Sequence, residues 1–147
     1  MNIIIYKILM IMIGLLLLAA GITDIRRKQI SRGMIAVLLL VCLVAIPFKA
    51  DYHLYDAAGG LVIGICAIAV SVMSREQIGR GDGMVIAAIG LVLGAYSCMM
   101  VVCVASLLMC VVSIAVLVLK KGTKQTRLPF LPAVFVSYAL YAARVIV

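Results

Sequence analysis

The stretch "SCMMVVCVASLLMCVVSIAVLVL", residues 97–119, runs without a single charged side chain. About 20 apolar residues in a helix cross the hydrocarbon core of a bilayer, and this stretch is long enough to do so. The rest of the chain has the same character. Of its 147 residues, 67% are hydrophobic and 12% charged, and the mean hydropathy is +1.34. Five acids and thirteen bases are too few to cover a soluble domain of this size, in which charged residues normally make up about a quarter of the chain. The composition indicates an integral membrane protein, an all-α polytopic helical bundle forming one domain over residues 1–147.

The same length criterion predicts six transmembrane helices, over Ile3–Thr23, Gly33–Phe48, Ala57–Met73, Gly83–Ala95, Ser97–Leu119 and Pro129–Ile146. Gly83 to Leu119 is one apolar stretch, divided at "GAYS" (residues 94–97), where Gly94 and Ser97 suit a tight turn. Lys and Arg accumulate in cytoplasmic loops, which orients the bundle. Arg26, Arg27, Lys28 and Arg32 follow the first span, Arg75 and Arg80 the third, and Lys120, Lys121, Lys124 and Arg127 the fifth. The other side carries Lys7, Lys49 and Arg144, so both termini are predicted outside, on a bacterial cytoplasmic membrane. A signal peptide over Met1 to Ala20, cut at "LAAG", fits less well, because Lys7 follows an apolar "NIII".

The net charge of +8 sits in short loops, not on one amphipathic face, which points to anionic membrane lipid as a partner and away from nucleic acid. Cys42, Cys66, Cys98, Cys103 and Cys110 all lie inside apolar runs with no CxxC pair and no nearby His. They read as small packing residues, with no metal site and no disulfide implied. The glycines Gly60, Gly64, Gly90 and Gly94 suit close helix packing, within the bundle or against a helix docked on it.

Among the acids, Asp51 and Asp56 fall in the external "KADYHLYD" loop with His53, and Glu76 in the basic "SREQIGR" loop, where solvation suffices. Asp24 and Asp82 stand instead at the junction of a span and a cytoplasmic loop, on the same predicted side. An acid at mid-membrane costs about 2.5–3.5 kcal/mol, less near the interface, and asks for a compensating role. Asp82 alone fits a helix N-cap, and Asp24 alone fits a salt bridge to Arg26, Arg27 or Lys28. Together they fit another chemistry: two carboxylates sharing one proton can activate water and protonate a leaving group. Gly79, Gly81 and Gly83 around Asp82 would supply torsions closed to other residues and room for an extended peptide.

These residues resemble the type IV prepilin peptidases, membrane aspartyl proteases with a G-x-G-D signature. "GRGD" (79–82) fits the signature, and "TDIRRKQISRGMI" (23–35) fits the family's first-acid motif. "AAGGLVIG" (57–64) and "RLPFLPAVFVSY" (127–138) resemble its Gly-containing third span and its "PFGP"-like entry to the last span. Ser31 and Arg32 stand where the family usually has Pro-Asn, Met84 where a Lys is frequent, and Leu131 where "PFGP" has its Gly. None of these departures touches an acid.

The resemblance implies an aspartic endopeptidase that removes the leader of prepilin-like precursors at the cytoplasmic face, with Asp24 and Asp82 catalytic and no metal or organic cofactor. The loop from Asp24 to Arg32 is too short for the N-methyltransferase region that many bacterial members insert, so the likeness is to the short peptidase-only forms. Two other readings use the same residues: a small ion- or proton-coupled transporter, with the acids as ion ligands, or a non-catalytic membrane assembly subunit. The oligomeric state is left open.

Overall fold

The computed structural model describes residues 2–27, 32–49, 53–73, 80–119 and 130–146. Gly79, Asp51, Glu76 and the bases Lys28, Arg75, Lys120, Lys121, Lys124 and Arg127 lie outside the described residues. The described chain is all-helical: α1 (Asn2–Arg27), α2 (Arg32–Ala45) ending in a 3-10 turn (Ile46–Phe48), α3 (Leu54–Met73), α4 (Arg80–Leu93), α5 (Ala95–Val118) and α6 (Leu131–Ile146).

The core forms around α4, which packs against α3, α2 and α5, while α1 packs against α6 and α2. Seven hydrophobic side chains of α4, from Val85 to Leu93, are buried, as expected of a helix that is apolar on every side. The outer face of the bundle is equally apolar: Leu15, Leu40, Leu107 and Ile114 are all exposed. In water that surface would be a large hydrophobic patch, and a bilayer is the solvent that suits it. Ile3–Arg26 and Ala95–Val116 are long and apolar enough to cross a membrane on their own; the other four are shorter apolar helices.

Glycine decides how closely α3 and α4 approach. A Cβ on Gly60 would collide with the backbone of Gly90, and one on Gly64 with Ala87. These glycines are filled by the partner helix inside the bundle, so they offer no groove to a docked helix. The pairing runs antiparallel, with Gly83 against Ile68 at one end and Gly60 against Gly90 at the other. Helices α1 and α6 pair in the same sense, the hydroxyl of the buried Tyr138 donating to Met10 O at 3.0 Å.

The α4–α5 junction is the tight turn expected at "GAYS". Gly94 has φ +88, a left-handed conformation that ends α4 and lets α5 begin at once. The end of the bundle around it corrects the reading of Asp56 as a solvated loop acid. Asp56 lies in the first turn of α3, because the carbonyl of His53 accepts the N–H groups of Asp56 and Ala57 and starts the helix there. Its Oδ1 accepts the N–H of Ala95 at 2.9 Å, capping α5, and its Oδ2 lies 3.8 Å from Lys49 Nζ. Lys49 in turn donates to the carbonyls of Val92 and Leu93 at 3.1 and 3.3 Å, covering the C-terminus of α4.

The cysteines divide. Cys42 and Cys98 are buried packing residues, whereas Cys66, Cys103 and Cys110 are exposed on the apolar outer face. The outward three are not core packing, because their helix faces have no neighbour to meet.

Candidate active site

Helix α1 runs through Thr23 to Arg27, so Asp24 belongs to its last turn and does not follow it. Thr23 keeps the helix wound to that point by donating to the carbonyls of Ala19 and Ala20 at 3.1 and 2.8 Å, and it touches Met34 of α2 at 3.7 Å. The Asp24 side chain turns inward and is only 8% exposed. Its carboxylate accepts hydrogen bonds from the backbone N–H groups of Leu131 and Phe130, the start of α6.

That contact follows from local sequence. The carbonyl of Phe130 accepts the N–H groups of Ala133 and Val134, which makes Phe130 the residue on which α6 is wound. The first N–H groups of a helix have no partner inside it, and Pro132 removes one more donor from that turn. The carboxylate meets the remaining donors, and its charge lies at the positive end of the helix dipole. The backbone of α6 thus holds the acid; of the bases expected to pair with it, Arg26 is exposed, while the Arg27 side chain and Lys28 lie outside the described residues.

Asp82 is 6% exposed, in the first turn of α4. The helix starts at Arg80, two residues before it, so Asp82 is not the N-cap that its position before "GMVIAAIG" suggests. Gly81 and Gly83 are helical too, and Gly94 is the glycine with positive φ among the described residues. Their expected special torsions are therefore not used. Gly83 serves close packing: a Cβ there would lie 2.6 Å from Ile68 Cγ1 of α3, so its space is filled by the bundle itself. Asp82 is also engaged by a partner.

Chain direction puts the two acids at one end of the bundle. The last turn of α1, the first turn of α4 and the first turn of α6 share it, while Lys49, Asp56 and Gly94 mark the other. Helix α2 packs against both acid-bearing helices. Asp24 and Asp82 are the buried carboxylates among the described residues; the remaining buried polar residue, Ser137, donates to Ala133 O at 2.8 Å and is satisfied within its own helix. No group of three His, Cys, Asp or Glu side chains among the described residues is placed to hold a metal ion. The contribution that reading the residues in order missed is the backbone of Phe130 and Leu131. Its signal was present in the two prolines that bracket them, since Pro at the start of a helix marks exposed N–H donors.

Two buried carboxylates at one end of an apolar bundle have the chemistry that proton transfer requires. No curated protein and no solved structure matches the chain. A family model described as the type IV leader peptidase family matches residues 10–114, covering the span that contains both acids, and the chain therefore belongs to that family, as a peptidase.

Proposed function

We propose that this protein is an aspartic endopeptidase of the cytoplasmic membrane that cuts the leader from prepilin-like precursors at the cytoplasmic face, with Asp24 and Asp82 as its catalytic pair. The observation that carries the reading is the burial of both acids, 8% and 6% exposed, at the same end of a chain of the leader peptidase family. A buried acid is costly unless something uses or compensates it, and two of them together suit acid–base work.

In this mechanism the substrate's hydrophobic helix lies in the bilayer and its leader junction reaches the acid end of the bundle. One carboxylate takes a proton from water as the water oxygen bonds to the scissile carbonyl carbon. The other, protonated, donates to the carbonyl oxygen, and the tetrahedral intermediate then breaks its C–N bond as the leaving amine is protonated. In this reading the two acids share one proton, and their roles alternate through the cycle. The backbone of α6 fixes the Asp24 carboxylate in position, so this member of the pair is oriented before substrate arrives. The leader of such a substrate is short and basic, and the basic loops repel it; its register is therefore read by the acids and by backbone groups.

The test is coexpression with a matching prepilin, comparing the wild type with Asp24→Asn and Asp82→Asn at equal membrane abundance. Each variant is expected to lose processing by about 10³-fold or more, a loss within the range of general acid–base catalysis. Asn keeps an oxygen that can still accept from α6, so loss without misfolding isolates the chemistry. Processing that persists in both variants would reject the pair.

A further inference from the structure

Between α5 and α6, at the end of the bundle away from the two acids, the surface opens into a groove of about 550 Å³. Met100, Val104 and Leu140 form its apolar wall, and Tyr96, Tyr141 and Arg144 stand at its mouth. Tyr96 is in the first turn of α5 and Arg144 in the last turn of α6, so the polar mouth lies where these two helices meet the membrane surface. Of the two serines that line it, Ser97 lies in the first turn of α5 beside Tyr96, and Ser137 already donates its hydroxyl to Ala133 O.

The charge at this end is unevenly used. Lys49 is committed to Asp56 and to the carbonyls that end α4. Arg144 is exposed and makes no ion pair with another described residue. A guanidinium beside two phenols at a membrane interface presents several N–H and O–H donors to an anion, and phosphate is the anion a membrane surface offers. On the wall below, Met100 and Leu140 present the flexible, bulky surface that suits a hydrocarbon chain. The volume falls within the range of about 300–1,000 Å³ typical of small-molecule sites.

We propose that this groove is a binding site for an anionic diacyl phospholipid, its phosphate on Arg144 and one acyl chain along Met100, Val104 and Leu140. The site is separate from the acids and does not depend on the catalytic reading. It gives the last helix a fixed lipid at its far end, opposite the end where its N-terminus holds Asp24.

The full chain in detergent, exchanged with phosphatidylglycerol or phosphatidylcholine and examined as an intact complex by mass spectrometry, tests this. The wild type is expected to retain phosphatidylglycerol in preference to phosphatidylcholine. Arg144→Gln is expected to lower phosphatidylglycerol affinity by about tenfold, the scale of one lost charge-assisted contact. Arg144→Lys keeps the charge and retains part of the preference. Leu140→Trp, which leaves Arg144 in place and fills the groove, is expected to reduce retention of both lipids. The proposal fails if phosphatidylglycerol retention is unchanged in Arg144→Gln. It also fails if Leu140→Trp has no effect, because the lipid would then be held by headgroup attraction alone. A stable dimer that Leu140→Trp dissolves would assign the groove to a second copy and overturn it as well.

Discussion

Asp24 and Asp56 perform the same capping task at opposite ends of the bundle, and the comparison separates structure from chemistry. Asp56 caps α5 through Ala95 and pairs with Lys49; its carboxylate is partly exposed and lies away from the acid end. Removing it as Asp56→Ala is expected to cost about 1–2 kcal/mol, the usual value of a lost cap, read as a lower midpoint of thermal unfolding in detergent, with leader cleavage retained by the folded fraction. Gly94→Ala strikes the same knot from the other side. Its φ of +88 is closed to most side chains, and the added methyl would run into the Asp56 carboxylate, so the loss is expected to match or exceed that of Asp56→Ala. A double variant should show strong non-additivity, since both changes break one contact. Asp56 also marks what could not be read in order along the chain. It sits among Lys49, Tyr52 and His53 like a solvated loop acid, and its partner Ala95 is 39 residues away, visible only once α3 and α5 are folded together. Asp24 and Asp82 were legible because a charge beside a long apolar run is costly wherever the helices go.

At the scale of helices, α3 and α4 depend on the absence of side chains. Gly60, Gly64 and Gly90 were readable as a packing signal and Gly83 was not, and which helix filled them was not readable, because small residues invite any close partner equally. The answer lies inside the bundle: α3 and α4 are each other's partner. Gly60→Leu or Gly64→Leu therefore forces the two backbones apart, and the expected result is loss of more than about 3 kcal/mol or failure to accumulate, since overpacking here cannot be relieved by a side-chain rotation. Leader cleavage should fall with it, because α4 carries Asp82 in its first turn. The α1–α6 pair allows a graded comparison. Tyr138 is 1% exposed, with its ring against Gly14 and its hydroxyl on Met10 O. Tyr138→Phe removes one hydrogen bond from a carbonyl already inside a helix and should cost about 1 kcal/mol; Tyr138→Ala empties a core position and should cost about 3–5 kcal/mol. Helix boundaries were the part read least well. The start of α6 is set by which N–H groups find acceptors, and the acceptor is Asp24, on a helix more than a hundred residues earlier in the chain.

For the whole molecule, the decisive question is which side of the membrane the acid end faces. The geometry links features that must move together: Asp24, Asp82, the C-terminal end of α5 and the start of α6 share one end, while His53, Lys49 and Gly94 share the other. The basic residues of the α5–α6 connection, Lys120 to Arg127, predict a cytoplasmic position for it by the positive-inside rule. Helix α4 adds a constraint of depth. Its 14 residues rise about 21 Å, less than the roughly 30 Å of hydrocarbon, so Asp82 reaches water only if the surface dips or the bilayer thins at the acid end. Orientation can be read with an impermeant maleimide on intact cells, in a chain whose five native cysteines are replaced by alanine. His53→Cys is expected to label from outside, and Thr123→Cys only after the membrane is permeabilised. The reverse pattern would put both acids on the outer face, where a leader retained in the cytoplasm could not reach them, and the proposed cleavage would lose its substrate whatever the chemistry of the pair. The expected pattern, combined with loss of processing in Asp24→Asn and Asp82→Asn, joins the buried acids to the side on which the leader is cut.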